Sequence, residues 1–115
     1  MAGAVPLRDR RLRSGWQFRE VYRSGSSYHG TLMSLVSLGK PGDHGRFAYV
    51  ASRKVGSAVR RNRAKRLLRE GFRGLPESLR EEPRWRIWIA RAACSRSTLR
   101  DVAAEMARLV GRESR

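Results

Sequence analysis

Residues 58–73, AVRRNRAKRLLREGFR, limit what this chain can fold into more than any other stretch. At about 100° per residue, Asn62, Lys65, Arg66, Arg69 and Arg73 fall on one helical face. Ala64, Leu67, Leu68, Gly71 and Phe72 fall on the opposite one, and Arg60, Arg61 and Arg63 line the flanks. Ser57 is placed as the N-cap. Such a helix has to bury its apolar face against the rest of the chain while it presents cations to something else. Like charges at i, i+3 and i+4 repel one another, and a face that only solubilises would intersperse acids; here the single acid is Glu70. From Arg53 to Arg73 there are nine basic residues and one acid, so this segment carries +8 of the chain's net +16. The pattern points to a helix that binds a polyanion.

The flanking sequence predicts a sheet for that helix to dock on. Phe18, Val21 and Tyr22 recur at helical spacing, which predicts a short helix over 15–23 that stops near Gly25. Residues 32–38 are rich in β formers and predict a strand. Residues 40–45 compose a turn, and 46–52 read as the returning strand of a hairpin, with Phe47 and Tyr49 on one face and Ala48 and Val50 on the other. Leu75-Pro76 and Glu81-Glu82-Pro83 punctuate a connector. A strand follows over 85–90, with Trp85, Ile87 and Ile89 on one side and Trp88 on the other, so at least one of the two tryptophans belongs to the core. A last helix over 99–110 has Thr98 as N-cap, Asp101 in its first turn and Gly111 as its stop. The order is helix, two or three strands, helix, strand, helix. The strand–helix–strand unit in the middle allows part of the sheet to be parallel. Residues 1–13 read as a basic, loosely ordered arm, and the 115 residues suit one domain.

Composition narrows the function. Arg outnumbers Lys by 23 to 3, and Arg grips phosphate bidentately and stacks on bases. A GC-rich coding bias accounts for the ratio equally well, but not for the net charge. Nucleic acid is the commonest counter-charge for such a chain. No run approaches the ~18 apolar residues of a membrane span, no signal peptide is visible, and the single cysteine, Cys94, reads as a small packed residue. A soluble, cytoplasmic location is expected. His29 and His44 both lie in turn-like sequence, the few acids are scattered, and neither metal-ligand spacing nor a nucleophile–base arrangement occurs. Autonomous catalysis is therefore disfavoured. A membrane-surface role is disfavoured too, because the apolar face of the basic helix is narrow and needed for the sheet. Val55-Gly56-Ser57, beside Arg53 and Lys54, is either a phosphate site at the helix N-terminus or an ordinary strand-to-helix turn. Helix physics alone does not separate a ribosomal or DNA-binding role from other RNA partners.

The run ASRKVGSAVRRNRAKRLLRE over 51–70 resembles the signature of the bacterial ribonuclease P protein subunit family, with Arg61-Asn62-Arg63 matching its RNR motif. Phe18, Val21, Tyr22 and Gly25 resemble the pattern of that family's first helix, and Ile87-Trp88-Ile89-Ala90-Arg91 that of its last strand. The resemblance covers nearly the whole chain. Arg53 stands where Lys is usual, and Ala64 where a larger apolar residue is common.

The resemblance implies an α+β fold of order α-β-β-β-α-β-α with a central sheet and a left-handed βαβ crossover, where general topology rules favour a right-handed one. It implies an accessory subunit of an endoribonuclease that removes the 5′ leader of precursor tRNA. In that family the RNA subunit carries the active site and the Mg2+, and the protein itself needs no cofactor. Carried onto this chain, Arg60, Arg61, Asn62, Arg63, Lys65, Arg66, Arg69 and Arg73 would meet the ribonuclease P RNA, with Asn62 alternatively fixing the helix start or a phosphate. Phe18, Tyr22, Phe47, Tyr49, Ser52, Arg53 and Lys54 would line a cleft for the single-stranded leader, although the 18/21/22 spacing is also that of a buried helix face. One protein monomer per RNA is expected.

Overall fold

The structure, a computed structural model, describes residues 10–113. Its elements are α1 (Gly15–Ser24), β1 (Ser26–His29), β2 (Met33–Gly39), β3 (Arg46–Val50), α2 (Ala58–Arg73), the single turn α3 (Glu77–Arg80), β4 (Arg84–Ala90) and α4 (Leu99–Glu113), with 3-10 turns at Arg53–Val55 and Ala92–Arg96. The mixed α+β expectation holds, and α2 has the predicted limits.

The expected β2–β3 hairpin does not form. The sheet order is β1-β2-β4-β3, so β4 lies between the two strands, antiparallel to β2 and parallel to β3. The reason lies in β4 itself. Trp85 and Ile87 are buried on one face and Trp88 and Ala90 on the other, and a strand that is apolar on both faces is stable only where both are covered. The loop between β2 and β3 spans the end of the sheet, and α2 is the crossover that returns the chain parallel to β3. β1, four residues of polar sequence, forms the short outer edge beside β2.

Two apolar layers result. On one side of the sheet, Met33, Leu35, Phe47 and Trp88 pack with Ala64, Leu67, Leu68 and Phe72 of α2 and Val102, Met106 and Leu109 of α4. On the other side, Val36, Ala48, Trp85 and Ile87 pack with Leu12 and Val21 of the N-terminal segment and α1. Each of the Val, Leu, Ile, Met and Phe side chains among them contributes about 1.5–3 kcal/mol by leaving water. Both tryptophans of β4 are buried, so neither is the exposed ring that its position allowed. Ala64 is fully enclosed despite its size. Cys94 is buried, and burial, helped by the Glu105 charge and opposed by Arg63, pushes its thiol up to about 11.

Residues 1–9 of the expected arm lie outside the described residues. The remainder is not loose. Leu12 N–H donates to the Phe47 carbonyl at 2.9 Å, Arg11 bridges to Phe47 in parallel, and the Gln17 side-chain oxygen accepts from the backbone N–H of Arg13 and Ser14. Residues 11 and 12 thus shield the outer edge of β3.

Two buried carboxylates close the fold. Glu105 of α4 accepts the backbone N–H groups of Thr31, Leu32 and Met33 at 2.9, 2.7 and 3.0 Å, satisfying the β1–β2 turn. A Cβ on Gly30 would stand 2.5 Å from that carboxyl carbon, so the turn needs glycine there. Glu113 pairs with Arg86 of β4 through both oxygens. This ion pair carries α4 past Gly111, where the sequence placed its end. Ser57 and Thr98 cap α2 and α4 as expected, accepting from the N–H of Arg60 and Asp101.

Candidate nucleic-acid interface

The outward face of α2 is the most concentrated charge in the described molecule. Arg60, Asn62, Arg66 and Arg73 are exposed, and Arg61, Lys65 and Arg69 are partly so. Val59, Asn62, Arg63, Lys65, Arg66 and Arg69 surround a shallow hollow of about 470 Å³. None of the described ion pairs involves Lys65, Arg66, Arg69 or Arg73, and Arg69 Nε is buried without a hydrogen-bond partner. Electrostatic repulsion along this face is thus left for a ligand to relieve.

Arg63 is different. Its guanidinium donates to the Ser95 carbonyl at 2.8 Å and the Ser97 carbonyl at 3.3 Å. It clamps α2 to the turn after β4, so its removal alters the scaffold as well as the charge. Gly56, at φ 133°, takes a backbone conformation that side chains disfavour, and it sets the sharp entry from the Arg53–Val55 turn into α2. Ser52 Oγ accepts the Lys54 N–H there, and Ser52, Arg53 and Lys54 all remain exposed.

The four aromatic candidates do not share one cleft. Phe47 is 5% exposed, with its ring 5.0 Å from that of Phe72, and offers no face to a base. Alternation along β3 puts Tyr49 on the same side, against Phe47 and Phe72. Burial pushes its phenol far up, against the opposing charges of Arg11, Arg69, Arg73 and Arg80. The Arg11 guanidinium lies 5.7 Å from the ring centre. Tyr49 therefore belongs with the basic α2 side. Arg11 and Arg80 were not singled out in the sequence, one lying in an apparent arm and the other in a connector, and no local signal marks them.

Phe18 and Tyr22 stand on the other side of the sheet, one turn apart on a flank of α1. Helix α1 covers that face incompletely. Phe18, Leu38, Val50 and Ile89 are only partly buried at its margin. Val50 ends β3 just before the exposed 52–54 turn, and Ile89 is its partner on β4. This half-open apolar margin, with Phe18 beside it and the basic 52–54 turn after β3, is what remains exposed on that face. Val50 and Ile89 carry no polar signal in sequence and read simply as core.

Among the described residues no three of His, Cys, Asp and Glu gather in a group that could hold a metal. The Asp43 carboxylate is already engaged by Arg46 and by Trp85 Nε1. Burial would raise its pKa, but these hydrogen bonds outweigh that and hold it low. No helix among the described residues is long and apolar enough to cross a membrane.

Comparisons with known proteins point to one family. The family model described as Ribonuclease P matches residues 7–113. The ribonuclease P protein component of Clostridioides difficile is 32% identical over 107 residues, 91% of this chain and 92% of that one. That of Alkaliphilus metalliredigens is 30% identical over 100 residues, 87% and 89% of the two chains. The solved RNase P protein of Thermotoga maritima superposes with a TM-score of 0.76 at 27% identity, covering 89% of this chain and 96% of that one. The Staphylococcus aureus protein gives a TM-score of 0.76 at 24% identity over 89% and 93%, a likeness of fold.

Proposed function

The chain belongs to the ribonuclease P protein family, and from that premise we propose that it is the accessory protein subunit of a tRNA-processing endoribonuclease. It binds the catalytic ribonuclease P RNA through α2 and holds the single-stranded 5′ leader of precursor tRNA in the trough between α1 and the sheet. The observation that carries this reading is the separation of the two surfaces. The basic face of α2 lies on one side of the sheet, and the half-open aromatic and apolar margin of α1 lies on the other. Cations at the surface suit a structured RNA backbone, while an aromatic wall suits unpaired bases. Chemistry and Mg2+ belong to the RNA, one protein monomer serves each RNA, and the complex works in the cytoplasm. Phe47 drops out of the proposed leader contacts because it is enclosed, and Tyr49 moves to the α2 side.

The test is reconstitution. The protein is mixed with a bacterial ribonuclease P RNA, and 5′-leader cleavage is followed at low magnesium beside protein-alone and RNA-alone controls. Only the mixture is expected to cleave efficiently. A mixture no better than RNA alone would redirect attention to ribosomal RNA, and cleavage by the protein alone would reveal an active site of its own.

The leader trough has its own test. Phe18→Leu keeps apolar packing and removes the stacking face. It is expected to weaken precursor tRNA by about 1–3 kcal/mol while mature tRNA is unchanged. Equal losses on the two substrates would reject the trough.

A further inference from the structure

The flank of α1 that carries Phe18 and Tyr22 does not end at the trough. On a helical wheel at about 100° per residue, Phe18 and Tyr22 are followed round the helix by Arg19, Arg23 and then Trp16. Trp16 is 55% exposed and Tyr22 49%. Trp16, Arg19, Glu20, Tyr22 and Arg23 line an open hollow of about 590 Å³. Glu20 is the one acid there, and it is paired with Lys40 at 2.8 Å, which leaves the two arginines to set the charge.

Trp16 is also a supported ring. It meets Trp85 edge-on at 5.8 Å between centroids. Trp85 is in turn held by its Nε1–H to Asp43 at 2.9 Å and by Lys40 Nζ, 4.4 Å from its ring centre. A large aromatic fixed from behind, half open in front and flanked by unneutralised guanidinium groups is the arrangement that stacks an unpaired base between phosphate contacts.

We infer that the outer face of α1 is a second contact site for single-stranded RNA, in which Trp16 stacks a base and Arg19 and Arg23 hold the adjoining phosphates of a leader that leaves the trough past Tyr22. The inference rests on the leader reading above. It favours the leader over the RNA subunit because α1 and the basic face of α2 lie on opposite sides of the sheet. The track is continuous: aromatic at Phe18 and Tyr22, cationic at Arg19 and Arg23, aromatic again at Trp16.

The test uses the protein assembled with ribonuclease P RNA and precursor tRNAs whose leaders lengthen one nucleotide at a time. Trp16→Ala is expected to lose about tenfold in affinity for long leaders and nothing for the shortest, with Trp16→Phe recovering most of it. Trp85 and Trp88 are buried, so Trp16 supplies the acrylamide-quenchable emission of the free protein, and a long-leader oligonucleotide is expected to protect it. If Trp16→Ala matches the parent at every length while Phe18→Leu still loses leader binding, the inference falls and the trough stands. If neither variant changes leader binding, the leader reading itself falls. If the parent self-associates in sedimentation and Trp16→Ala abolishes that, the surface joins two copies of this chain, which also overturns the inference.

Discussion

Replacing Arg86 with Ala is expected to cost about 3–5 kcal/mol of stability, because it strands a buried carboxylate without a counter-charge. Arg86 is 1% exposed. Its guanidinium donates to both oxygens of Glu113 at 2.9 and 2.8 Å, to Glu82 at 2.9 Å and to the Leu79 carbonyl at 2.9 Å. One side chain therefore ties the end of α4, the turn after α3 and the central strand together. Urea melts of the single variant and of an Arg86→Met/Glu113→Leu double variant give the measurement. The double variant is expected to recover most of the loss, since removing both charges removes the desolvation cost with them. A single-variant loss below about 1 kcal/mol would mean that water reaches Glu113. The consequence for function is indirect but specific. Val102, Met106 and Leu109 of α4 share a core with Ala64, Leu67, Leu68 and Phe72 of α2, so loosening α4 frees the helix that carries the basic face.

Substituting Gln for Lys65, Arg66, Arg69 and Arg73 together is expected to weaken binding to ribonuclease P RNA on the order of 100-fold near physiological salt. The parent protein is expected to show a log–log salt slope of roughly −5 to −8, and the variant a slope shallower by about 0.9 for each phosphate it no longer neutralises. Folding should be preserved or improved, because these like charges repel along one face of α2. Arg63 is left out of the set because its guanidinium holds the Ser95 and Ser97 carbonyls, so its loss would confuse charge with packing. Circular dichroism, filter binding across a salt series and the slope itself provide the readouts. An unchanged slope would remove α2 from the RNA interface.

The short-range features were legible in the sequence. α2 begins and ends where its cap and amphipathic pattern place it, and its apolar stripe is the buried one. Ser57 and Thr98 act through hydrogen bonds spanning three residues, and periodicity in a helix is a property of neighbouring turns. The charge concentration needed no structure at all. Misreadings arose wherever a residue's partner lies far along the chain. A turn-rich loop between two strands looks like a hairpin, yet the strand that fills the gap between them arrives more than thirty residues later. Gly111 looks like a helix stop, yet Glu113 is drawn inward by Arg86 on β4.

By itself, then, the amino-acid sequence determined α1, α2 and α4, the segments of β2, β3 and β4, the cationic face of α2 and, through the resemblance over 51–70, the family; β1 and α3 came only with the structure. The former depend on local periodicity, capping and charge, whose interactions decay within a few residues or are carried by composition. Only the tertiary structure decided which aromatic rings are open. Phe18, on a helix, and Phe47, on a strand, stand as equal candidates for an open cleft in the sequence, but β3 turns Phe47 into the core under Phe72, while α1 leaves Phe18 at the rim of a sheet it only partly covers. It likewise decided that Arg63 is a clamp and that Trp16 is a supported, half-exposed ring. Exposure is set by what other segments bury, and that follows from how the layers close over one another rather than from any window of the chain.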